Sequence, residues 1–300
     1  MHGPQHGGDP ARTTVLPFDH FYEVAPFAAH AAAHGFRVAP ALPPHLTQAC
    51  TKQLSFAASF PYALTRAFYE GWAAAHGVVC LTGHAVWFGM EGSDTPDIGW
   101  GANALHAAGL VPARRYVTEV DAMLVAAVAR YGDAAAAGGF IAVHVRTEDD
   151  WARVCAIGTD RRPGVAEPHW LGTSDRVCWV HPEEVAAYLR DAAGVPAGSL
   201  AFVMSADPTS SMPSLCGPAG HLACFTPDEV WAPVDPALAA LSARTQLVRA
   251  YVSYLLAERA AAVYGNTHST FSQQLVEGFK ARGQRAEFYN PKCPLDEPCW

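Results

Sequence analysis

The chain has 300 residues, half of them hydrophobic, which is enough to bury one large core or two smaller ones. Charged residues make up only 16% and the formal net charge is −8, which excludes a disordered chain and argues against nucleic-acid binding, since phosphate backbones require dense positive charge. No apolar run of about 18 residues occurs, so no membrane span is predicted.

The amino-terminal part of the chain shows few regular elements. Its first ten residues are polar and have no apolar core typical of a signal sequence. Apolar residues at four-residue spacing predict a helix over 61–76, and a short strand follows over 78–81. A second helix is predicted with Thr118 as its cap and Gly132 as its end.

After residue 136 the pattern becomes a regular alternation of strands and helices. Buried-type strands are predicted over 140–145, 200–205, 261–264 and 286–289. Helices are predicted over 181–194, from about 236 to 259, and from about 270 to 282. Such alternation gives a parallel sheet with right-handed crossovers, so the sequence predicts an α/β fold.

Three polar motifs follow predicted strands. The first is residues 143–151 (VHVRTEDDW), the second is 204–207 (MSAD) and the third is 265–272 (GNTHSTFS). Because ligands of an open α/β sheet bind at the carboxyl ends of its strands, we expect the three motifs to form one site. An arginine and a hydroxyl-rich helix start suit a phosphorylated ligand.

Two interpretations are open for the cation of the first motif. Arg146 follows a strand, where its guanidinium can bind a phosphate through two parallel hydrogen bonds, and His144 alternates with it on the same face. Alternatively, Arg146 forms an ion pair with Glu148 or Asp149 that only holds the loop in place. From this motif alone, such pairing is about as expected as ligand binding.

The other two motifs also have structural alternatives. Ser269, Thr270 and Ser272 crowd the start of a helix, which suits an anion, although ordinary helix capping is common. Asp207 follows a strand and precedes a proline, so it can contact a base or ribose, or form an Asx-turn.

The chain has eight cysteines, and although their number alone does not fix the compartment, their arrangement favours an oxidising lumen with structural disulfides over free buried thiols in the cytosol. No CxxC occurs. Two short-range pairs lie in loop-like sequence flanked by Gly and Pro, Cys216/Cys224 and Cys293/Cys299, and Cys155 and Cys178 bracket another Gly/Pro-rich stretch. His30 and His34 have the spacing of two metal ligands, but no third ligand is apparent, so we predict no metal site. Sequence motifs of hydrolases, P-loop ATPases and dehydrogenases are absent.

Together the motifs resemble the O-fucosyltransferase family of GDP-fucose-dependent glycosyltransferases. The second and third motifs are similar to the family's Ala-Ser/Thr-Asp strand end and Gly-Asn-x-x-Ser-Ser/Thr-Phe-Ser/Thr box, and residues 181–185 and 18–24 show fainter similarity. The three motifs occur in the family's order over about half of the chain. The first matches the His-x-Arg-x-Glu-x-Asp-Trp signature at His144, Arg146, Glu148, Asp150 and Trp151, with Cys155 following.

The resemblance implies a GT-B-like architecture of two Rossmann-like lobes. Residues 1–135 would form a partial amino-terminal, acceptor-side lobe, and residues 136–300 the lobe that binds the nucleotide sugar. Carried over, Arg146 binds the diphosphate and is the residue expected to act in catalysis. The implied donor-binding residues are His144, Arg146, Asp207, Asn266, Ser269, Thr270, Phe271 and Ser272.

The implied roles are specific. Ser269, Thr270 and Phe271 surround the diphosphate, Asp207 lies near guanine, and His144 braces the nucleotide or its ribose. The implied reaction is inverting transfer of fucose from GDP-fucose to a hydroxyl of a protein or glycan, with no metal or other cofactor. The implied location is the lumen of the ER or Golgi, or elsewhere in the secretory pathway.

The sequence also departs from the family pattern. The family's amino-terminal Gly-rich loop has no counterpart, so the chain is expected to begin downstream of it, which would also explain the absence of a targeting segment. The position at which the family usually has an aspartate falls near Ser253, and the nearest carboxylates, Glu148 and Asp150, do not identify a general base. The alternatives are therefore a GDP-sugar-binding protein without transferase activity and, less directly, a secreted disulfide-rich interaction protein.

Overall fold

The computed structural model of the chain describes residues 16, 18–33, 110–147, 180–205, 208–216, 220–266 and 269–290. The chain divides into two compact units, residues 1–113 with residue 300, and residues 114–299. The helix predicted over 61–76 and the strand predicted over 78–81 lie outside the described residues.

The described part of the first unit is small. It contains the short helix α1 (Phe18–Phe21) and the helix α2 (Val24–Ala33). An isolated antiparallel bridge between Tyr22 and Pro112 ties this segment to the residues that close the unit.

The second unit alternates strands with helices. Its strands are β1 (Ile141–His144), β2 (Leu200–Met204), β3 (Ala223–Phe225), β4 (Ala262–Gly265) and β5 (Arg285–Phe288). Its α-helices are α3 (Arg114–Tyr131), α4 (Pro182–Ala187), α5 (Pro208–Leu215), α6 (Pro227–Val230), α7 (Pro236–Ser242), α8 (Gln246–Ala257) and α9 (Thr270–Ala281). A 3-10 turn (Gly132–Ala135) follows α3, and a π-helical turn (Tyr188–Ala192) continues α4.

The five strands form one sheet in the order β3-β2-β1-β4-β5, and every pair of neighbours is parallel. The chain moves outwards from β1 to β3 and then returns to place β4 on the other side of β1. The strand order therefore reverses between β1 and β4, which is where open α/β sheets place their ligands. The predicted α/β fold with a parallel sheet is confirmed.

Both faces of the sheet are covered, which explains why the strands read as continuous apolar runs. On one face Val143, Val203 and Tyr264 belong to a buried cluster with side chains of α4 and α5. On the opposite face the rings of Phe140, Phe202 and Phe225 pack against one another, with centroids 5.2 to 6.4 Å apart. A sheet buried on both sides exposes its polar residues mainly at the ends of its strands.

The predicted start of helix α3 is wrong. The helix begins at Arg114, and Thr118 lies one turn inside it, where its hydroxyl donates a hydrogen bond to the carbonyl oxygen of Arg114 at 3.1 Å. Threonine can satisfy its hydroxyl in this way within a helix, so it does not mark a helix start by itself. The predicted end is confirmed, because Gly132 follows with a φ of 71°.

The single helix predicted from about 236 to 259 is also wrong, because the segment forms α7 and α8 with a break between them. Thr245 starts the second helix, and its hydroxyl accepts a hydrogen bond from the backbone N–H of Leu247 at 3.2 Å. The apolar periodicity continues through the break, so the sequence pattern did not show that Thr245 caps a second helix. Strand β3 was not predicted, since three residues are too few to show a period.

A disulfide joins Cys216 to Cys224, with Cα atoms 5.7 Å apart, which confirms one of the cysteine pairs expected from the sequence. Cys224 lies on the edge strand β3, so the bond fastens the edge of the sheet to the residue that follows α5. The pairs Cys155/Cys178 and Cys293/Cys299 lie outside the described residues. Within the described ranges no helix is long and apolar enough to cross a membrane.

Candidate functional site

The first and second motifs meet at the carboxyl ends of β1 and β2. The backbone N–H of Val145 donates to the carbonyl oxygen of Met204 at 2.9 Å, which extends the pairing beyond β1. The hydroxyls of Thr147 and Ser205 then approach to 3.5 Å. The two motifs are thus neighbours at one edge of the sheet, as predicted.

The first and third motifs meet through a buried hydrogen-bonded contact. His144 ends β1, and its Nδ1 lies 2.7 Å from the hydroxyl oxygen of Ser272 in the first turn of α9. The same oxygen accepts a hydrogen bond from the backbone N–H of Asn266 at 3.0 Å. Because β4 lies beside β1, the turn after β4 brings α9 against the end of β1. We call these three residues, with Ser269, the His144 junction.

Gly265 allows this close approach. A Cβ atom at this position would lie 2.6 Å from the Cβ of Ser272 and 2.7 Å from its hydroxyl oxygen, closer than van der Waals contact permits. The packing of α9 on β4 therefore requires a glycine at the start of the third motif, in addition to any role of this glycine in the turn.

Two residues after β5 complete the junction and were not predicted from the sequence. The side-chain amide of Asn290 donates to the side-chain oxygen of Asn266 at 3.3 Å, and both residues are buried. The hydroxyl of Tyr289 donates to the carbonyl oxygen of His144 at 2.9 Å. Their only sequence signal is that they follow the last strand and so reach the same edge of the sheet.

His144 is an uncharged residue at neutral pH. Burial lowers its pKa to about 3, and the positive charge of the neighbouring Arg146 acts in the same direction. The ring of Phe271 lies beside it with a centroid distance of 4.7 Å, and Tyr254 meets Phe271 edge-on at 5.7 Å. Positive charge at this edge is therefore supplied by Arg146 rather than by His144.

Ser269 is the residue immediately before α9 and is fully buried. It occupies the N-cap position, yet its side chain makes no capping hydrogen bond. Its hydroxyl oxygen has no hydrogen-bond partner among the described residues. A buried hydroxyl without a partner costs about 1–3 kcal/mol, so ordinary capping does not account for Ser269. The start of this twelve-residue helix is an arrangement suited to an anion.

Other predicted site residues are less completely described. Arg146 is half-buried, two residues beyond the end of β1, and the side chain of Thr270 lies outside the described atoms. Asp207 and the residues 148–151 also lie outside the described ranges, so the alternatives for Arg146 and Asp207 stay predictions. Ser253 is buried in α8 and donates its hydroxyl to the carbonyl oxygen of Arg249 at 2.8 Å.

No protein-family model and no curated protein sequence matches the chain. Solved structures do match. The crystal structure of POFUT1 in its apo form aligns over 93% of this chain and 86% of its own, with a TM-score of 0.50 and 17% sequence identity. Two structures of POFUT1 in complex with GDP-fucose align over 95% and 93% of this chain and 86% and 85% of theirs, with TM-scores of 0.47 and 0.49 and 18% identity.

The comparison with apo POFUT1 concerns the fold and covers most of both chains. It confirms, at the level of the fold, the resemblance to the O-fucosyltransferase family. The chain has a GT-B-like α/β fold with a parallel five-stranded sheet, as predicted.

Proposed function

We propose that the chain is a glycosyltransferase that transfers fucose from GDP-fucose to a hydroxyl group of a protein or glycan. The observation that carries the proposal is the buried hydroxyl of Ser269 at the start of α9, which has no hydrogen-bond partner among the described residues and lies on the same edge of the sheet as Arg146. POFUT1, whose fold the chain shares, has crystal structures in complex with GDP and with GDP-fucose. The three motifs that resemble the family's signatures meet at this edge.

A diphosphate is the ligand that this edge suits best. With a net charge of −8 the chain cannot attract an anion through its overall field, so local groups must bind it. Arg146 can pair with phosphate oxygens through two parallel hydrogen bonds. The first backbone N–H groups of α9 and the hydroxyl of Ser269 can add uncharged donors. Ser269, Thr270 and Phe271 would then surround the diphosphate.

The remaining residues of the proposed site would contact other parts of the nucleotide. His144 would donate to the ribose or a phosphate oxygen, and Asp207 would bind guanine. Asn266 and Ser272 shape the turn that separates β4 from α9. This division assigns the positive charge of the site to the diphosphate end of the ligand.

The proposed reaction is a direct displacement. The acceptor hydroxyl oxygen forms a bond to the anomeric carbon of fucose as the bond from that carbon to the diphosphate breaks, and the hydroxyl proton passes to a base. The configuration at the anomeric carbon inverts. Arg146 and the helix N–H groups stabilise the negative charge that develops on the departing GDP, without a metal. The disulfide Cys216–Cys224 supports a location in the oxidising secretory pathway.

The second candidate is a GDP-sugar-binding protein that does not transfer the sugar. The region of Ser253 favours it, because the resemblance places the family's usual aspartate near this residue, and the hydroxyl of Ser253 donates to the carbonyl oxygen of Arg249 in its own helix. A serine held in this way cannot replace a carboxylate as a base. Binding without turnover would identify this candidate.

The test is calorimetric titration of GDP, GDP-fucose and UDP into the purified chain, followed by measurement of fucose transfer. GDP and GDP-fucose should bind and UDP should bind much more weakly. Arg146→Ala should weaken GDP binding by about 100-fold, since a charge-assisted pair with the diphosphate is lost. The matched control is Arg190→Ala, because Arg190 is exposed and pairs with Asp191 beside it. Equal binding of GDP and UDP, or full binding by Arg146→Ala, would contradict the proposal.

A further inference from the structure

The hydroxyl of Ser272 is the most constrained polar group at this edge. Ser272 is fully buried, and its oxygen lies between two partners on different parts of the chain. The backbone N–H of Asn266 donates to it at 3.0 Å, and Nδ1 of His144 lies 2.7 Å away. These are its only hydrogen-bond contacts within the described residues.

The directions of these two hydrogen bonds follow from counting protons. A serine hydroxyl has one hydrogen to donate and two lone pairs with which to accept. The N–H of Asn266 can only donate, so it occupies one lone pair. If Nδ1 of His144 also carried a hydrogen, the hydroxyl hydrogen of Ser272 would have no acceptor among the described residues. That arrangement costs about 1–3 kcal/mol at a buried site.

The favoured arrangement is a chain in which Asn266 donates to Ser272 and Ser272 donates to Nδ1 of His144. Each bond in such a chain polarises the next and strengthens it. The ring of His144 is uncharged, so it carries one hydrogen, and this hydrogen must then be on Nε2. Nε2 has no hydrogen-bond partner within the described ranges, and the residue retains 8% of its surface exposed.

We propose that Ser272 is a positioning residue, which holds His144 as the Nε2–H tautomer so that its ring offers an uncharged hydrogen-bond donor to an oxygen of the nucleotide. The ligand part of this inference rests on the proposed function, and the tautomer part does not. An acceptor oxygen on a phosphate or ribose fits this donor, whereas the opposite tautomer would present an acceptor and repel a phosphate.

Neighbouring groups keep the ring in this orientation. Phe271 packs beside it at 4.7 Å between centroids, and the hydroxyl of Tyr289 holds the carbonyl oxygen of His144 at 2.9 Å. Asn290 bonds to the side chain of Asn266, which supplies the first donor of the chain. The contact of Ser272 with Gly265 leaves no room for α9 to move closer.

The first experiment measures the tautomer of His144 by 15N NMR of the histidine-labelled full chain, without nucleotide. The signals of His144 are assigned by their loss in His144→Gln. We expect a protonated Nε2 and an unprotonated Nδ1. A protonated Nδ1 in the wild-type chain would overturn the inference, and the result does not depend on whether GDP binds.

The second experiment compares Ser272→Ala with Ser272→Thr. The alanine variant should shift the tautomer towards Nδ1–H and weaken GDP binding by about three- to tenfold, the effect of one hydrogen bond. The threonine variant retains the hydroxyl and should restore both. Ser242→Ala is the matched control, because Ser242 bonds to the carbonyl oxygen of Ala239 within α7.

The outcomes separate the two proposals. A folded Ser272→Ala chain with an unchanged tautomer would overturn the positioning role. If the wild-type chain shows the expected tautomer but does not bind GDP, the proposed function fails and the tautomer assignment stands. If Ser272→Thr does not fold against Gly265, the wild-type and alanine spectra still decide the question.

Discussion

Two buried polar junctions in the second unit differ in how completely they are satisfied. Glu119 of α3 is fully buried, and its carboxylate accepts hydrogen bonds from the indole N–H of Trp231 at 3.0 Å and from the backbone N–H groups of Val234 and Asp235 at 3.2 and 2.7 Å. These contacts attach the loop before α7 to α3. We call them the Glu119 junction.

The His144 junction is equally buried, but it is not fully hydrogen-bonded within the described residues. Its hydrogen bonds join Ser272 to His144 and Asn266, while the hydroxyl of Ser269 has no partner within the described residues. A buried junction in which every donor has an acceptor stabilises the fold. A buried hydroxyl without a hydrogen-bond partner lowers the stability of the fold. The difference separates a structural contact from a site suited to a ligand, and removing the Glu119 carboxylate should have the opposite effect on stability to removing the Ser269 hydroxyl.

The largest effect is expected for Glu119→Ala. Removing the carboxylate leaves three N–H donors without an acceptor, and we expect the free energy of unfolding to fall by about 3–5 kcal/mol. Urea denaturation followed by circular dichroism measures the change. Glu277→Ala is the control, because Glu277 is exposed and pairs with Lys280 on the surface, so it should change stability by less than about 0.5 kcal/mol. A loss below about 1 kcal/mol for Glu119→Ala would contradict the structural role.

The second effect is a dependence of stability on pH that comes from His144. Its pKa is about 3 in the folded chain, mainly because of burial, and about 6.5 when unfolded. The unfolded state therefore binds the extra proton below pH 6.5, so this contribution to stability is present above pH 6.5 and is lost as the pH falls towards 3.

Between pH 7 and pH 5.5 the loss should be about 1 kcal/mol. Urea denaturation at several pH values gives the free energy of unfolding of the wild-type chain and of His144→Gln. The difference between the two chains in how steeply this free energy changes with pH is the contribution of His144. If the free energy of unfolding changes equally with pH in both chains, the ring of His144 is not buried in its neutral form.

The smallest change in stability, and one of opposite sign, is expected for Ser269→Ala. Removing a buried hydroxyl that has no partner among the described residues should leave the free energy of unfolding unchanged or raise it by up to about 1 kcal/mol. GDP binding should nevertheless weaken by about three- to tenfold if the hydroxyl contacts the diphosphate. Thermal denaturation and titration of the same preparation measure both effects. Lower stability with unchanged GDP binding would assign Ser269 to the fold.

Much of the fold could be predicted because strands buried on both faces and amphipathic helices leave local patterns. The predicted strands at 140–145, 200–205, 261–264 and 286–289 all exist, with ends that differ by one residue or so. The errors have local causes. Thr118 looks like a cap but bonds within its helix, and the break before Thr245 does not interrupt the apolar period.

The site could be predicted only in part. The sequence indicated that the three motifs share one edge of the sheet, because each follows a strand. It did not indicate Tyr289 or Asn290, whose neighbours in sequence carry no motif. It also could not distinguish the roles of the two serines, since Ser269 and Ser272 lie three residues apart and both suit a helix start.

The sequence by itself determined the alternation of strands and helices, and with it the edge at which the polar motifs meet, because apolar periodicity and strand ends are local properties. Only the tertiary structure decided that the hydroxyl of Ser272 is hydrogen-bonded to His144 and Asn266, and that the hydroxyl of Ser269 has no partner among the described residues. His144 and Ser272 are 128 residues apart in sequence, and they meet because β4 is placed beside β1 and Gly265 lets α9 approach. Contacts of this kind depend on strand order and on packing within a few ångströms, which no local pattern encodes.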